Sequence, residues 1–247
     1  MATSEAYSTL PSPVSSIPYN KGVSVHALAP GDAEAWDRFV QLHPSGSFFH
    51  QIGWKRVMEK TYDYEPFYFY SKRGSQITGI APSFLVSTWL TGRYLLSLPF
   101  AVYGGICADD PESEQALIAR LEQVAADREV EYLELRSRKR ELLPGYHAIP
   151  RYATFTIPLI KDIGTLYRGF PKDIRYMIRK GEKAGLRLMR GTDQLEHFYK
   201  LMTINLRRLG TPAFPRVLFK NLLSEFPGQV DLTLLYSNGH PVAGGMS

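Results

Sequence analysis

The order of predicted elements in the first third of the chain starts again in its last quarter, and an internal repeat constrains architecture before any single motif does. In the first copy an opening strand at Val23 to Leu28 precedes a helix from Asp32 to about Leu42, with Trp36, Phe39 and Val40 on one side, and a short helix around Gly53 to Lys60. Two β-rich runs, Pro66 to Ser71 and Ile77 to Ser87, flank Lys72-Arg73-Gly74-Ser75-Gln76, which predicts a hairpin. In the second copy Asp193 with Glu196 predicts a capping box that opens a helix from Gln194 to Leu209. Its buried stripe is Leu195, Phe198, Met202, Leu206 and Leu209, and Gly210 with Pro212 ends it. A second helix from Arg216 to Glu225, a strand from Gln229 to Tyr236, a turn at Ser237 to His240 and a strand from Pro241 complete the order. Two unrelated stretches that share a short α-α-β-β string are the alternative reading.

The first copy continues with a strand at Tyr94 to Leu98, a helix from Pro111 to Asp127 whose period shows in Leu117, Leu121 and Val124, and a strand at Glu131 to Arg136. Nothing matches this continuation after Ser247, so the repeat predicts a chain that lacks about 50 to 100 residues of its second copy at ordinary element lengths. The expected organisation is a disordered tail over 1–22, a first domain over 23–150 and an incomplete second domain over 151–247.

Composition narrows the class. With 44% hydrophobic and 21% charged residues the chain can build packed cores, which excludes a disordered or collagenous protein. One cysteine, Cys107, excludes an intrachain disulfide framework and any cysteine-rich metal site, and fits a reducing, cytoplasmic setting. The first 22 residues carry no apolar run of a secretory signal. Residues 74–92 are uncharged but are interrupted by Ser, Thr, Gln and Pro, so buried strands suit them better than a membrane helix. Residues 1–150 hold 14 basic and 17 acidic side chains, whereas 151–247 hold 15 and 7, so an anionic partner is expected to meet the second part.

The segment Gly169 to Leu188 carries the clearest chemistry. Pro171 suits the first helical position, Asp173 the positive end of the helix dipole and Gly185 the position past its end, which predicts a helix over Lys172 to Ala184. At helical pitch Lys172, Arg175, Arg179 and Lys183 share one side, and Ile174, Met177, Ile178, Gly181 and Ala184 gather opposite, where packing is expected. The cationic side can hold phosphate or carboxylate groups, or can be a solvated surface. A second candidate is the cleft of Tyr103, Gly104, Gly105 and Arg136, where glycines let backbone N–H groups approach a ligand or simply form a tight turn. Glu134 and Arg136 alternate with Leu133 and Leu135 and can share that cleft or face water. The six histidines include no i, i+4 pair, and no phosphate-loop, dinucleotide-loop or serine-elbow motif occurs, so no metal site is expected and no catalytic residue is assigned.

Three runs together resemble FemAB-type aminoacyltransferases: Leu96 to Ile106 (LSLPFAVYGGI), Glu131 to Arg136 (EYLELR) and Phe170 to Leu186 (FPKDIRYMIRKGEKAGL). Arg207-Arg208-Leu209-Gly210-Thr211-Pro212 and Pro241-Val242-Ala243-Gly244-Gly245 are similar, more narrowly, to FemAB-related bacterial proteins of exosortase and exopolysaccharide systems. The resemblance implies an α/β fold of tandem GNAT-like domains with mixed central sheets, the second cut short. It also implies transfer of an aminoacyl or acyl group, from aminoacyl-tRNA or acyl-CoA, to an amine on a phosphorylated cell-wall or polysaccharide acceptor. On that footing Lys172, Arg175, Arg179 and Lys183 are the phosphate contacts, with Lys55 or Arg56 as a further cation. The rival expectation is a non-catalytic module that binds nucleic acid or polysaccharide through the same basic helix, and a third is an inert fragment.

Overall fold

A computed structural model describes residues 22–88, 92–137, 145–149 and 154–247; the predicted tail lies outside them, apart from Gly22. The chain divides into two units, Met1–Pro150 and Arg151–Ser247.

Unit 1 runs β1 (Val23–Ala27), α1 (Ala33–Leu42), α2 (Ile52–Tyr62), β2 (Glu65–Arg73), β3 (Gln76–Thr88), β4 (Gly92–Ser97), β5 (Cys107–Ala108), α3 (Pro111–Asp127) and β6 (Tyr132–Glu134). Its sheet has the order β1-β2-β3-β4-β6, with β5 pairing on β3. Strands β1 to β4 are antiparallel neighbours, β2 to β4 through short connections and β1 to β2 through the segment that carries α1 and α2, while β6 returns through α3 to lie parallel to β4 with Tyr94 opposite Tyr132. The alternation of β2, β3 and β4 sends Phe69, Ala81, Leu85 and Leu95 to one face, where they meet Leu117, Leu121, Val124 and Ala125 of α3. On the other face α1 and α2 cover β2 and β3, and Trp36 and Phe84 pack their rings against Tyr68. Each Leu or Phe fully buried in this way contributes about 1.5–3 kcal/mol.

Helix α3 starts where the sequence says it should. Asp110 accepts the Ser113 N–H at 2.8 Å, Pro111 occupies the first turn, and the Ser113 hydroxyl reaches Thr78 on β3 at 2.7 Å. The close approach of α3 to β3 requires Gly79, since a Cβ there would lie 2.8 Å from Ser71 Oγ and 2.9 Å from Leu117 Cδ1.

Unit 2 runs α4 (Ile163–Gly169), α5 (Lys172–Lys183), β7 (Arg187–Arg190), α6 (Leu195–Arg208), α7 (Arg216–Glu225), β8 (Leu232–Ser237) and β9 (His240–Met246). Its antiparallel sheet has the order β7-β8-β9, and Leu195 and Phe198 of α6, Phe219 of α7, and Leu232 and Leu234 of β8 form its core. From β7 onward the order strand, short 3-10 turn, helix, helix, strand, strand repeats that of β1 to β3. Both copies carry the same fastening. Tyr70 of β2 donates its hydroxyl to Asp32, which ends the turn before α1, at 3.0 Å; Tyr236 of β8 donates to Gln194 Oε1, which ends the turn before α6, at 2.8 Å.

Three local expectations change. The 3-10 turn Thr192–Gln194 displaces the expected capping box: Asp193 accepts from the Gln194 amide, and Glu196 pairs with Arg216. Helix α6 ends at Arg208, which takes Leu209 off the stripe and leaves it 68% exposed. The apolar side of α5 does not pack as expected, because Ile174 and Met177 are 44% and 59% exposed and no residue of α5 is buried.

Candidate functional site

Strands β4 and β6 form a parallel pair, and the carboxyl ends of parallel strands are where open sheets leave room for a ligand. Here the two strands part after Ser97 and Glu134, and the Arg136 N–H donates to Ser97 Oγ at 2.9 Å across the opening. The segment that leaves β4 folds back into this opening. Gly104 and Gly105 both donate their backbone N–H groups to the Arg136 carbonyl, at 3.2 and 3.1 Å. The glycines are needed for packing, since a Cβ on Gly104 would meet Leu98 Cβ at 2.5 Å. The two N–H groups that could face a ligand are therefore occupied by the protein's own backbone.

Arg136 is held at both ends of its guanidinium: Nε donates to Glu134 Oε1 at 2.7 Å and Nη1 to the Ala101 carbonyl at 3.2 Å. Against the same loop lies His50, buried to 1% exposure, with Nε2 2.9 Å from the Gly105 carbonyl and Nδ1 2.7 Å from Ser47 Oγ. A carbonyl only accepts, so Nε2 carries the proton and Nδ1 receives the Ser47 hydroxyl. Burial lowers the His50 pKa, against the opposing hydrogen bond to Gly105, so the ring is neutral at pH 7. Cys107 is buried and donates its thiol to the Ser45 carbonyl at 3.4 Å.

Tyr103, Gly104, Gly105 and Arg136 thus line one recess, together with Ser45, His50, Cys107 and Ser137. Sequence reasoning did not join His50 and Cys107 to this place. They come from an α1–α2 connection and from β5, more than fifty positions apart in the chain, and no spacing signal links them.

In unit 2 helix α5 spans Lys172–Lys183, with Pro171 just before it and Gly185 at φ 65° just after, as the punctuation of the sequence predicts. Lys172, Asp173, Tyr176 and Arg179 line an open hollow on its exposed side. Tyr176 is 57% exposed between the two cations. Arg175 departs from the expected group: it is half-buried, its Nε is enclosed without a hydrogen-bond partner, and its carbonyl accepts the Tyr167 hydroxyl at 3.2 Å. Lys183 is exposed one turn beyond the hollow. In unit 1 Lys55 is committed to Glu59 at 2.7 Å.

The hollow can bind an anion, with Lys172 as a point charge and Arg179 as a planar fork, and Tyr176 supplying a hydroxyl. The Arg136 recess offers a neutral imidazole and a guanidinium beside a loop tied to its own backbone.

Residues 168–247 match the sequence profile of the acetyltransferase (GNAT) domain. Among solved structures the chain is similar to the crystal structure of FemX, with a TM-score of 0.59 and 15% identity over 86% of this chain and 57% of FemX. It therefore spans just over half the length of FemX. A ribosomal-protein-alanine N-acetyltransferase from Brucella melitensis biovar Abortus aligns with a TM-score of 0.36 and 15% identity, over 56% of this chain and 100% of its own. A probable N-acyltransferase from Enterococcus faecalis V583 aligns with a TM-score of 0.37 and 13% identity, over 92% of this chain and 55% of its own. No curated protein matches the chain. Residues 168–247 accordingly match the GNAT acetyltransferase domain, and the chain has a mixed α/β fold similar to that of FemX, consistent with tandem GNAT-like units.

Proposed function

We propose that the protein is an N-acyltransferase of FemAB type that transfers an aminoacyl or acyl group to an amine on a phosphorylated cell-wall or exopolysaccharide-related acceptor. The observation that carries this reading is the GNAT match over 168–247, joined to a fold shared with FemX. The acyl donor is aminoacyl-tRNA or acyl-CoA, and the place of action is the cytoplasm; no helix among the described residues is long and apolar enough to cross a membrane.

The chemistry asks for alignment more than for side-chain nucleophiles. The amine lone pair attacks the acyl carbonyl, the tetrahedral oxyanion is stabilised by N–H donors, and collapse expels the thiol of CoA or the tRNA hydroxyl. In this reading Lys172 and Arg179 hold the acceptor's phosphate in the α5 hollow, with Tyr176 between them, and Arg175 supports the helix from its half-buried side.

The test is steady-state kinetics with either donor and an amine-bearing sugar phosphate. Replacing Lys172 and Arg179 together by Ala should raise KM for the acceptor with little loss of kcat, because binding to the phosphate is common to ground and transition states. Unchanged kinetics would remove these residues from the acceptor site. If instead the chain transfers no acyl group but binds RNA or DNA with an affinity that falls steeply with salt, the non-catalytic reading replaces this one.

A further inference from the structure

Three aromatic rings that the acyl-transfer reading does not use meet at one edge of unit 1. Tyr62, at the end of α2, stacks on Tyr64 with centroids 5.2 Å apart and an interplanar angle of 14°, and the ring of Phe100, just after β4, lies 5.1 Å from that of Tyr62 at 33°. Phe100 has a backbone φ of 62°, a region that a bulky L residue enters at a cost and that recurs at ligand clamps. Burial of the ring does not offset that cost, since Phe100 is 44% exposed, and Val102 beside it is 54% exposed. A second cost sits beneath: the Tyr62 hydroxyl is enclosed without a hydrogen-bond partner. Burial first, and Tyr64 second, push the Tyr62 phenol up to about 12, so it is a neutral O–H throughout the physiological range. A strained backbone therefore holds an apolar ring out towards solvent, on a stack of two tyrosines.

We infer that Phe100, backed by Tyr62 and Tyr64, is a stacking platform for the pyranose ring of a neutral saccharide. The electron-rich face of an aromatic ring attracts the weakly positive C–H face of a sugar, and offset stacking sets the orientation. A nucleobase would also stack on such rings, but it brings phosphate. The surroundings give a phosphate little to bind: Lys55 and Arg128 are already paired with Glu59 at 2.7 Å and Glu65 at 2.6 Å, and Asp63 stands between the two tyrosines in the chain. An uncharged sugar face does not need a cation. The inference deepens the acceptor reading above by naming a saccharide as the part that unit 1 holds. It is tested by binding alone, so its failure would leave acyl transfer standing.

The experiment is saturation-transfer NMR on the full chain with the N-acetylglucosamine dimer as probe, and uridine monophosphate in a parallel arm. Phe100→Gly removes the ring and suits the positive φ, Phe100→Trp keeps a ring, and Tyr62→Phe removes only the buried hydroxyl. The expected result is transfer to the pyranose C–H protons in the wild type, in Phe100→Trp and in Tyr62→Phe, insensitive to salt, with affinity about tenfold weaker in Phe100→Gly. Tyr64→Leu should weaken it in the same direction. No transfer to the sugar in the wild type overturns the inference, as does unchanged affinity in Phe100→Gly. Salt-sensitive binding of the nucleotide in preference to the sugar would overturn it as well.

Discussion

The imidazole of His50 donates from Nε2 to the carbonyl of Gly105 at 2.9 Å, and this bond ties the connection between α1 and α2 to the loop that closes the β4–β6 opening. Ser47 completes the arrangement from the other ring nitrogen; protonating the ring reverses that bond, with the hydroxyl accepting from Nδ1 and turning its own proton to the Tyr103 carbonyl 3.4 Å away, and places a charge in a buried site.

The pH dependence follows from that geometry. His50 has a folded pKa below its ordinary 6.5, chiefly through burial, so below pH 6.5 the unfolded chain binds a proton that the folded chain resists. Its contribution to stability is fully present above pH 6.5 and is lost as pH falls from there through the folded value. Thermal unfolding followed across this range should show the midpoint falling with acidity, and His50→Gln should flatten the curve. Identical slopes for the two proteins would show that another group governs acid sensitivity.

Proton placement on His197 is also determined. The Asp193 carboxylate accepts from the Gln194 amide nitrogen at 2.5 Å, which turns Gln194 Oε1 towards Tyr236; Oε1 only accepts, so Tyr236 donates to it and receives the proton of His197 Nδ1 at 2.8 Å. Neutral His197 should therefore hold its hydrogen on Nδ1 and leave Nε2 open to solvent. Ring nitrogen chemical shifts will read this directly, and Tyr236→Phe should return the ring to a mixture of tautomers. A dominant Nε2-protonated form in the wild type would contradict the orientation of Gln194.

Gly79 is predicted to tolerate no side chain. Alanine there brings a methyl group within 3 Å of Ser71 Oγ and Leu117 Cδ1 at the contact of β3 with α3. Overpacking of this kind costs about 1–3 kcal/mol, measurable as a lower urea midpoint at unchanged slope. A midpoint equal to that of the wild type would mean that α3 moves away freely.

Helix α5 should behave as a surface helix on both sides. Replacing Ile174 and Met177 by Gln is expected to change stability by no more than about 0.5 kcal/mol each, as at other exposed positions. Leu121→Ala in the fully buried core of unit 1 should cost about 2–5 kcal/mol in the same assay. A loss of core size at Ile174 would place that side chain inside a packed interface.

Local rules carried much of this protein. Hydrophobic period, hairpin punctuation and helix caps predict α3 at Pro111 to Asp127, the turn between β2 and β3, and a helix from Lys172 that stops before Gly185, because each depends on neighbours within a few residues. The repeated order of helix, helix, strand, strand was legible for the same reason, although strand β7 and the 3-10 turns were not. What lies within one helix turn of Lys172 could be read as a cationic face.

Tertiary structure alone decided which of those side chains line the open hollow. Phase on the helix puts Arg175 with Lys172 and Arg179, yet in the folded chain Arg175 is half-buried with its Nε enclosed, while Lys172 and Arg179 line the hollow. Gly104 and Gly105 looked equally suited to a ligand and to a turn; their N–H groups go to the Arg136 carbonyl because β6 returns beside β4, a pairing set by the crossover and not by residues near the glycines. His50 and Cys107 joined that recess by the same route. A sequence fixes contacts between near neighbours through local geometry, but contacts across fifty residues depend on the sum of many weak burials. Only the folded chain resolves them.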